Sequence, residues 1–372
     1  MMSKTDKNSL KRFLSGAAVP LLFIIISAIA IPVSGLSGDY LINETISRLA
    51  RNAFFVLALL LPVMAGMGIN FGMVMGAMAA QIGLVLAADW NMAGMKGILV
   101  AALIGIPLSV LLGYFGGVIL NRAKGREMIT SMILSLFISG IYQFILLYLC
   151  GWIIPMDNKL VILSRGYGVR NTIPLPMAGA IDDLLKFSFR GINYYNFITI
   201  PVSTFIVVGL LCLFTVWFRK TKFGQNIRAV GQDMTVSEIA GIDVNRNRIA
   251  SVIISTVLAC LGQIIFCQNM GTLITYNGAD NAALYAAASL LIGGASVSKA
   301  TISNAIFGTA LFHLMFLVMK EAGTKITGEA VIGEYLRSFI CYAIVTIALI
   351  IHAWKRQKDK QLDLQNLRDR RN

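Results

Sequence analysis

Charged residues are scarce in this sequence, and their scarcity excludes most soluble folds. Asp, Glu, Lys and Arg make up 13% of the 372 residues, whereas a soluble domain carries about a quarter. Apolar residues make up 57%, and the mean hydropathy is +0.74. A soluble domain of this length has too little interior to bury that much apolar surface. The composition therefore predicts a single all-α, polytopic membrane domain, because only helices and closed barrels span a bilayer.

Histidine and cysteine are also few, which argues against a metal centre. The two histidines, His313 and His352, are far apart in the sequence, and the five cysteines include no C-x-x-C pair. All five cysteines lie in apolar runs, where a thiol usually acts as a small buried hydrophobe. We therefore expect neither a metal site nor a cofactor.

The residue patterns of an enzyme are missing as well. We find no Ser/His/Asp set, carboxylate pair or H-E-x-x-H motif. The stretch closest to a phosphate-binding loop, residues 293–300, lacks a second Gly before Lys299 and a Ser or Thr after it. No Asp, Glu, Lys or Arg lies well inside a predicted span, which argues against proton coupling. A protein with this inventory that moves a solute uphill takes its energy from another chain.

Long apolar runs dominate what is present. Most are close to the roughly 20 residues that a helix needs to cross a bilayer. We predict ten spans, at about 13–33, 53–69, 71–88, 97–120, 129–154, 197–218, 249–268, 281–298, 300–319 and 337–354.

The distribution of Lys and Arg orients these spans. Ten spans place both termini, tails 1–12 and 355–372, on one side of the membrane. That side carries 21 of the 32 Lys and Arg residues, which identifies it as cytoplasmic by the positive-inside rule. The same rule accounts for the net charge of +14, so we expect no nucleic-acid partner.

Two apolar runs are interrupted at matching places. Gly66–Gly72 breaks the run 53–88, and Gly293–Lys299 breaks the run 281–319. Spans 2–5 and 7–10 have opposite orientation, as in an inverted repeat with broken helices near its axis. Ordinary glycine-rich helix packing explains the same pattern equally well.

The longest loop of the outer side, 155–196, contains no span and carries charges of both signs. Such a loop suits docking to another protein, although a solvated connector has the same composition. The docking candidates are Arg165, Arg170, Asp182 and Asp183.

The loop 219–248 is the longest basic interruption between apolar runs. Thr235 and Glu238 have the spacing of a capping box, and Gly241 provides a stop, so we predict a short helix at 235–240. Its position on the predicted cytoplasmic side makes it a candidate binding site for a partner protein.

Polar residues in or beside the apolar runs are candidates to line a solute path, since a buried polar group needs a partner or water. An interhelical hydrogen bond is the alternative for each. The candidates are Asn70, Gln81, Gln143, Gln263, Asn281, Ser289 and Asn304, with Phe71 as an aromatic gate.

Three segments together resemble bacterial ABC importer permeases for branched-chain amino acids, ribose-type monosaccharides and nucleosides. They are FGQNIRAVGQ at 223–232, IAGIDV at 239–244 and AAASLLIGGAS at 286–296. The resemblance is strongest over 220–300. It implies a transport subunit in the bacterial plasma membrane, without enzymatic activity of its own.

The resemblance also implies partners. These are ABC ATPase subunits on the cytoplasmic face, a second permease copy or paralogue, an extracytoplasmic solute-binding protein and the surrounding lipid. It assigns coupling to the ATPase to residues 231–241, with Gly231, Asp233, Thr235, Glu238, Ala240 and Gly241 as the contributing residues.

The segment AVGQD at 229–233 is closer to the monosaccharide-type pattern, so a sugar or nucleoside is the expected solute. A branched-chain amino acid permease and a stand-alone secondary carrier or channel remain alternatives.

Overall fold

A computed structural model describes residues 4–191, 197–296 and 299–340, together with 342, 343, 346, 347, 350 and 354, with side chains described from residue 19 onward. The helices are α1 (Lys4–Ser34), α2 (Gly38–Ala58), α3 (Leu60–Met64), α4 (Met73–Asp89), α5 (Gly94–Arg122), α6 (Glu127–Phe144), α7 (Val202–Lys220), α8 (Lys222–Gln232), α9 (Met234–Ile239), α10 (Val244–Met270), α11 (Gly278–Ile292) and α12 (Ile302–Thr327). A π-helical turn, Ile145–Leu149, extends α6, and residues 330–340 are helical.

The predicted class is confirmed: the chain is an all-α, multi-pass membrane protein. Six helices in the described part of the chain are long and apolar enough to cross a bilayer. They are Gly38–Met64, Gly94–Arg122, Glu127–Leu149, Val202–Lys220, Val244–Met270 and Ile302–Thr327. The apolar part of α1, Val19–Ser34, and α4 are shorter. The last predicted span, 337–354, lies largely outside the described residues.

The second predicted span begins too late in the sequence. α2 starts at Gly38, not near residue 53, and so includes Glu44, Arg48 and Arg51. Glu44 Oε1 accepts from Arg48 Nε at 2.8 Å and lies 3.5 Å from Arg51 Nη2. These side chains pair along one face of the helix, so their charge does not interrupt it. The expectation that ionisable groups avoid the spans is therefore wrong at α2.

Both predicted interruptions are true helix breaks. Gly66 and Gly68 have φ of 73° and 74° between α3 and α4, a left-handed conformation that glycine adopts without strain. The second break separates α11 from α12, where Gly294 has φ of 83°. At 15 residues, α11 is about 22 Å long, which is shorter than the hydrocarbon core of a bilayer.

The packing between helices is reciprocal. α10 packs against α4 and α5, and α2 packs against α11 and α12. Thus the first helix of each half, predicted spans 2–5 or 7–10, contacts the second and third helices of the other half. An inverted repeat predicts this exchange. At the centre, α4 is apolar and buried on nearly all sides, as expected for a helix enclosed by others.

Four short strands lie together at one end of the bundle. β1 (Thr172–Pro174) pairs with β4 (Thr272–Ile274), and β2 (Lys186–Arg190) pairs with β3 (Phe197–Pro201), both antiparallel. We call this end the β face, and the opposite end, which holds α8 and α9, the α9 face. The strands were not predicted. The β1–β4 pair fastens the loop 155–191 to the turn between α10 and α11.

Candidate functional site

The short helix α9 forms close to the position that the sequence predicts, but with a different cap. Asp233, not Thr235, is the N-cap, and its Oδ1 accepts from the backbone nitrogens of Thr235 at 2.8 Å and Val236 at 3.0 Å. The predicted capping box is therefore wrong. A carboxylate interacts favourably with the positive end of the helix, and Asp233 takes that position two residues before Thr235. Gly241 follows the last turn with φ of 78°.

An apolar ridge on α9 faces away from the bundle. Ile239 is 84% exposed and Val236 is 61% exposed. Beside it lies an open cavity of about 660 Å³ between α8, the end of α9 and the start of α10. Its lining residues are Lys222, Phe223, Asn226, Ala240, Gly241, Ile242, Asp243, Arg246 and Asn247. An exposed ridge beside a cavity has the shape of a protein-docking surface.

The end of α8 lies directly on the first helix break. A Cβ added to Gly231 would collide with the carbonyl oxygen of Met64 and stand 2.9 Å from the backbone nitrogen of Gly66. The two backbones are in contact because both positions are glycine. Just beyond, the backbone nitrogen of Phe71 donates to Ser131 Oγ of α6 at 3.1 Å. The end of α8 thus contacts the break, and the residue that follows the break is hydrogen-bonded to α6.

A buried ion pair makes a second connection from α9 to α6. Arg248, in the first turns of α10, is fully buried and donates from Nη2 to Glu127, the first residue of α6. Its Nη1 contacts the sulfur of Met234, the first residue of α9. One guanidinium thus holds three helices together. Arg248 belongs to the predicted loop 219–248, but no sequence pattern indicates Glu127 as its partner.

The predicted path residues separate into two groups in the structure. Asn70 and Asn304 stabilise the two helix breaks: Asn70 Oδ1 accepts from Gly72 nitrogen at 2.8 Å, and Asn304 Nδ2 donates to Gly293 oxygen at 2.5 Å. Asn304 also forms a capping box with Thr301 at the start of α12. The Asn304 contact joins α12 to the end of α11, which matches the alternative of an interhelical hydrogen bond, whereas the Asn70 contact is local to its break.

The second group meets near the C-terminal end of α6. Gln81 of α4 accepts from the Tyr142 hydroxyl at 2.8 Å and donates to Ile274 oxygen at 3.2 Å. Nε2 of Gln143, the next residue of α6, lies 3.5 Å from Ser139 Oγ and 3.4 Å from the Tyr276 carbonyl. Gln81 is fully buried and Gln143 is half-buried. The structure therefore brings two of the candidates to one place.

The remaining path candidates are Gln263, Ser289, Asn281 and Phe71. Gln263 and Ser289 are buried within the bundle, where Gln263 Nε2 donates to Cys267 Sγ at 3.4 Å. Asn281 is exposed in the first turn of α11, and the half-buried Phe71 lies at the first break.

The sequence patterns did not identify one polar group beside Ser139 of α6, the carboxylate of Asp280. Asp280 Oδ2 accepts from Ser139 Oγ at 2.9 Å. Asp280 immediately precedes the predicted span 281–298, so the apolar window excluded it. A boundary placed one turn earlier would have included it.

The docking candidates of the β face have unequal exposure. Asp182 is buried and accepts from Thr204 Oγ1 and, at 2.6 Å, from Asn269 Nδ2. Its carboxylate is thus absent from the surface. Asp183 is exposed and lies 3.4 Å from Lys186 Nζ. Arg165 and Arg170 are exposed, and each donates to a backbone oxygen of its own loop, Arg165 to Tyr167 and Arg170 to Ile162.

Sequence comparison shows which known proteins this chain resembles. Residues 42–349 match the family described as the permease component of branched-chain amino acid transport systems. The chain is 28% identical over 198 residues to the probable ABC transporter permease protein YphD of Escherichia coli, covering 53% of this chain and 56% of that protein. It is 22% identical over 363 residues to the fructose import permease protein FrcC of Rhizobium meliloti, covering 95% and 90%.

A third relative is the nucleoside ABC transporter permease protein NupB of Lactococcus lactis, 24% identical over 254 residues, covering 67% of this chain and 60% of that protein. The chain therefore spans less than two thirds of two of these three relatives. No solved structure matches the chain. The family match covers most of the sequence, including all helices from α3 to α12. Because the match is this extensive, this chain belongs to the family of ABC transporter permeases described as branched-chain amino acid transport system permease components.

Proposed function

We propose that this chain is the membrane subunit of an ATP-driven importer for a sugar or nucleoside. In this proposal an ABC ATPase binds the α9 face in the cytoplasm, and a solute-binding protein docks on the β face. A second copy or a paralogue completes the pathway. The excess of Lys and Arg in the loops of the α9 face supports this orientation.

The observation that carries the proposal is the mounting of α9. Its apolar ridge is exposed for a partner, while the helices before and after it, α8 and α10, are fixed to the bundle at two points. These are the backbone contact of Gly231 with the first break and the Arg248–Glu127 ion pair. When a partner displaces a helix that is exposed on one face and fixed to the bundle on the other, the attached part of the bundle is displaced as well. ATPase closure would move α9, and the first break and α6 would move with it.

Two of the three relatives support the expected solute class, because their names specify fructose and nucleosides. Within this chain, carboxylate, amide and hydroxyl groups meet between α4, α6 and α11. Groups of these kinds bind solute hydroxyls through hydrogen bonds.

The test is co-purification of the chain with the ATPase of its own transport system after Ile239→Glu. Because Ile239 is 84% exposed, the substitution leaves the bundle intact but places a charge in the contact. We expect recovery of the ATPase to fall at least about tenfold, as for a central interface residue. Leu184→Glu, at a 60% exposed residue of the β face, is the matched control and should retain the ATPase. Unchanged recovery with Ile239→Glu, or uptake by this chain alone in proteoliposomes, would refute the proposal.

A further inference from the structure

A carboxylate lies between α6 and α11, about halfway along the apolar span that contains α6. The apolar span that contains α6 runs from Glu127 to Leu149, 23 residues, or about 35 Å at 1.5 Å per residue. Ser139 is about 18 Å along it, and Ser139 Oγ donates to Asp280 Oδ2 at 2.9 Å. The Asp280 carboxylate therefore stands at roughly half depth.

An ionisable group at that depth is costly to insert and is usually functional. Asp280 is half-buried, not enclosed. Ser139 is the hydrogen-bond donor that the structure describes for it. A carboxylate has about four acceptor sites. Most of the accepting capacity of Asp280 thus remains available to a ligand that approaches between the two helices.

The surroundings of Asp280 are polar and rigid. Gln143 extends toward the same point, with its amide nitrogen between Ser139 Oγ and the Tyr276 carbonyl. Beneath them, the fully buried Gln81 bonds to Tyr142, and its Nε2 lies 2.9 Å from where a Cβ of Gly278 would stand. Gln81 therefore packs against the first turn of α11, the turn that carries Asp280.

This chemistry suits a neutral solute with several hydroxyl groups. Two neighbouring hydroxyls can each donate to one carboxylate oxygen, and an amide such as that of Gln143 both donates and accepts. The hydrogen-bonded set around Asp280 contains no Lys or Arg. It therefore offers no cation to the carboxylate of an amino acid.

We propose that Asp280, with Ser139 and Gln143, binds a pair of solute hydroxyls midway through the membrane and thereby selects sugars or nucleosides over amino acids. The proposal rests on the proposed function and deepens it by assigning the residue that discriminates among solutes.

The experiment measures ATP-dependent uptake into proteoliposomes that contain this chain, its ATPase and its binding protein. The probes are D-ribose and 2-deoxy-D-ribose, uridine and 2′-deoxyuridine, and leucine. The measured quantity is the ratio of initial rates for each hydroxylated probe and its deoxy analogue. Because wild type and variants share one binding protein, the selectivity of that protein cancels when their ratios are compared.

We expect Asp280→Asn to reduce the ratio about tenfold relative to wild type, as for loss of a charge-assisted hydrogen bond. Glu329→Gln, at an exposed carboxylate just after α12, is the matched control and should leave the ratio unchanged. Ser139→Ala keeps the carboxylate but removes its donor, so it should shift the ratio in the same direction by a smaller factor. If Asp280→Asn fails to assemble, the uptake ratio of Ser139→Ala tests the proposal in its place.

Three results would overturn the assignment of Asp280. They are an unchanged ratio in the variants that assemble, wild-type uptake of leucine but of none of the hydroxylated probes, and a requirement for Na⁺ that Asp280→Asn abolishes. Uptake without ATP or the ATPase would instead overturn the proposed function, so the two failures are distinguishable.

Discussion

The buried ion pair between α6 and α10 permits a sharp prediction about stability and coupling. Glu127→Gln keeps the shape of the side chain but removes its charge, which leaves the guanidinium of Arg248 without its counter-ion. Arg248 is fully buried and Glu127 is 8% exposed, so water offers little compensation. Breaking a buried pair in this way costs about 3–5 kcal/mol.

The free energy of unfolding of the purified chain, measured by denaturant titration in mixed micelles, should fall by about that amount. Glu321→Gln is the matched control. Its carboxylate is 37% exposed and 3.9 Å from Lys320 Nζ, and loss of such a surface pair costs roughly 0–1 kcal/mol.

A double variant separates stability from transmission. Glu127→Leu combined with Arg248→Met replaces the pair with apolar side chains, which is often neutral or stabilising. We expect stability to recover toward wild type while stimulation of the ATPase by solute-loaded binding protein stays impaired. If Glu127→Gln is as stable as the Glu321→Gln control, the ion pair is not a structural link. Full stimulation in the double variant would show that it does not transmit motion.

Two further outcomes test other contacts. Gly231→Val should force α8 away from the first break, with a cost of about 1–3 kcal/mol from overpacking and reduced solute-stimulated ATP hydrolysis. Gly209→Val, at a glycine of α7 with no atom near its Cβ position, should change neither, and equal effects of the two would refute the contact. Tyr142→Phe should lower the free energy of unfolding by about 1 kcal/mol through loss of its bond to Gln81. An unfolding curve identical to wild type would exclude that bond.

The class of the fold and the location of α9 were predictable because both depend on local pattern. Apolar runs mark helices in a bilayer irrespective of their partners, and a polar loop with a capping residue and a glycine stop marks a short helix. The identity of the cap was not predictable from spacing alone. Thr235 and Asp233 both suit the role, and the backbone of Asp233, at φ −153° and ψ 116°, decides between them.

The start of α2 and the polar contacts of α6 could not be predicted, because they depend on residues far apart in sequence. Arg51 belongs to a helix partly because Asn269 Oδ1 accepts from it at 3.0 Å, although 218 positions separate the two residues. Glu127 and Arg248 are likewise 121 positions apart. A hydropathy window does not include partners this distant, so it assigns such charged residues to loops.

The reciprocal packing of the two halves has a consequence for biogenesis. α2 packs against α10, α11 and α12, which leave the ribosome roughly 200 residues later. At about 5–20 residues per second the delay is on the order of ten seconds or more. During that time the charged face of α2 lacks Asn269, the partner that later satisfies Arg51. We therefore expect α2 to need help during insertion, and the first half of the chain should be degraded when it is synthesised alone.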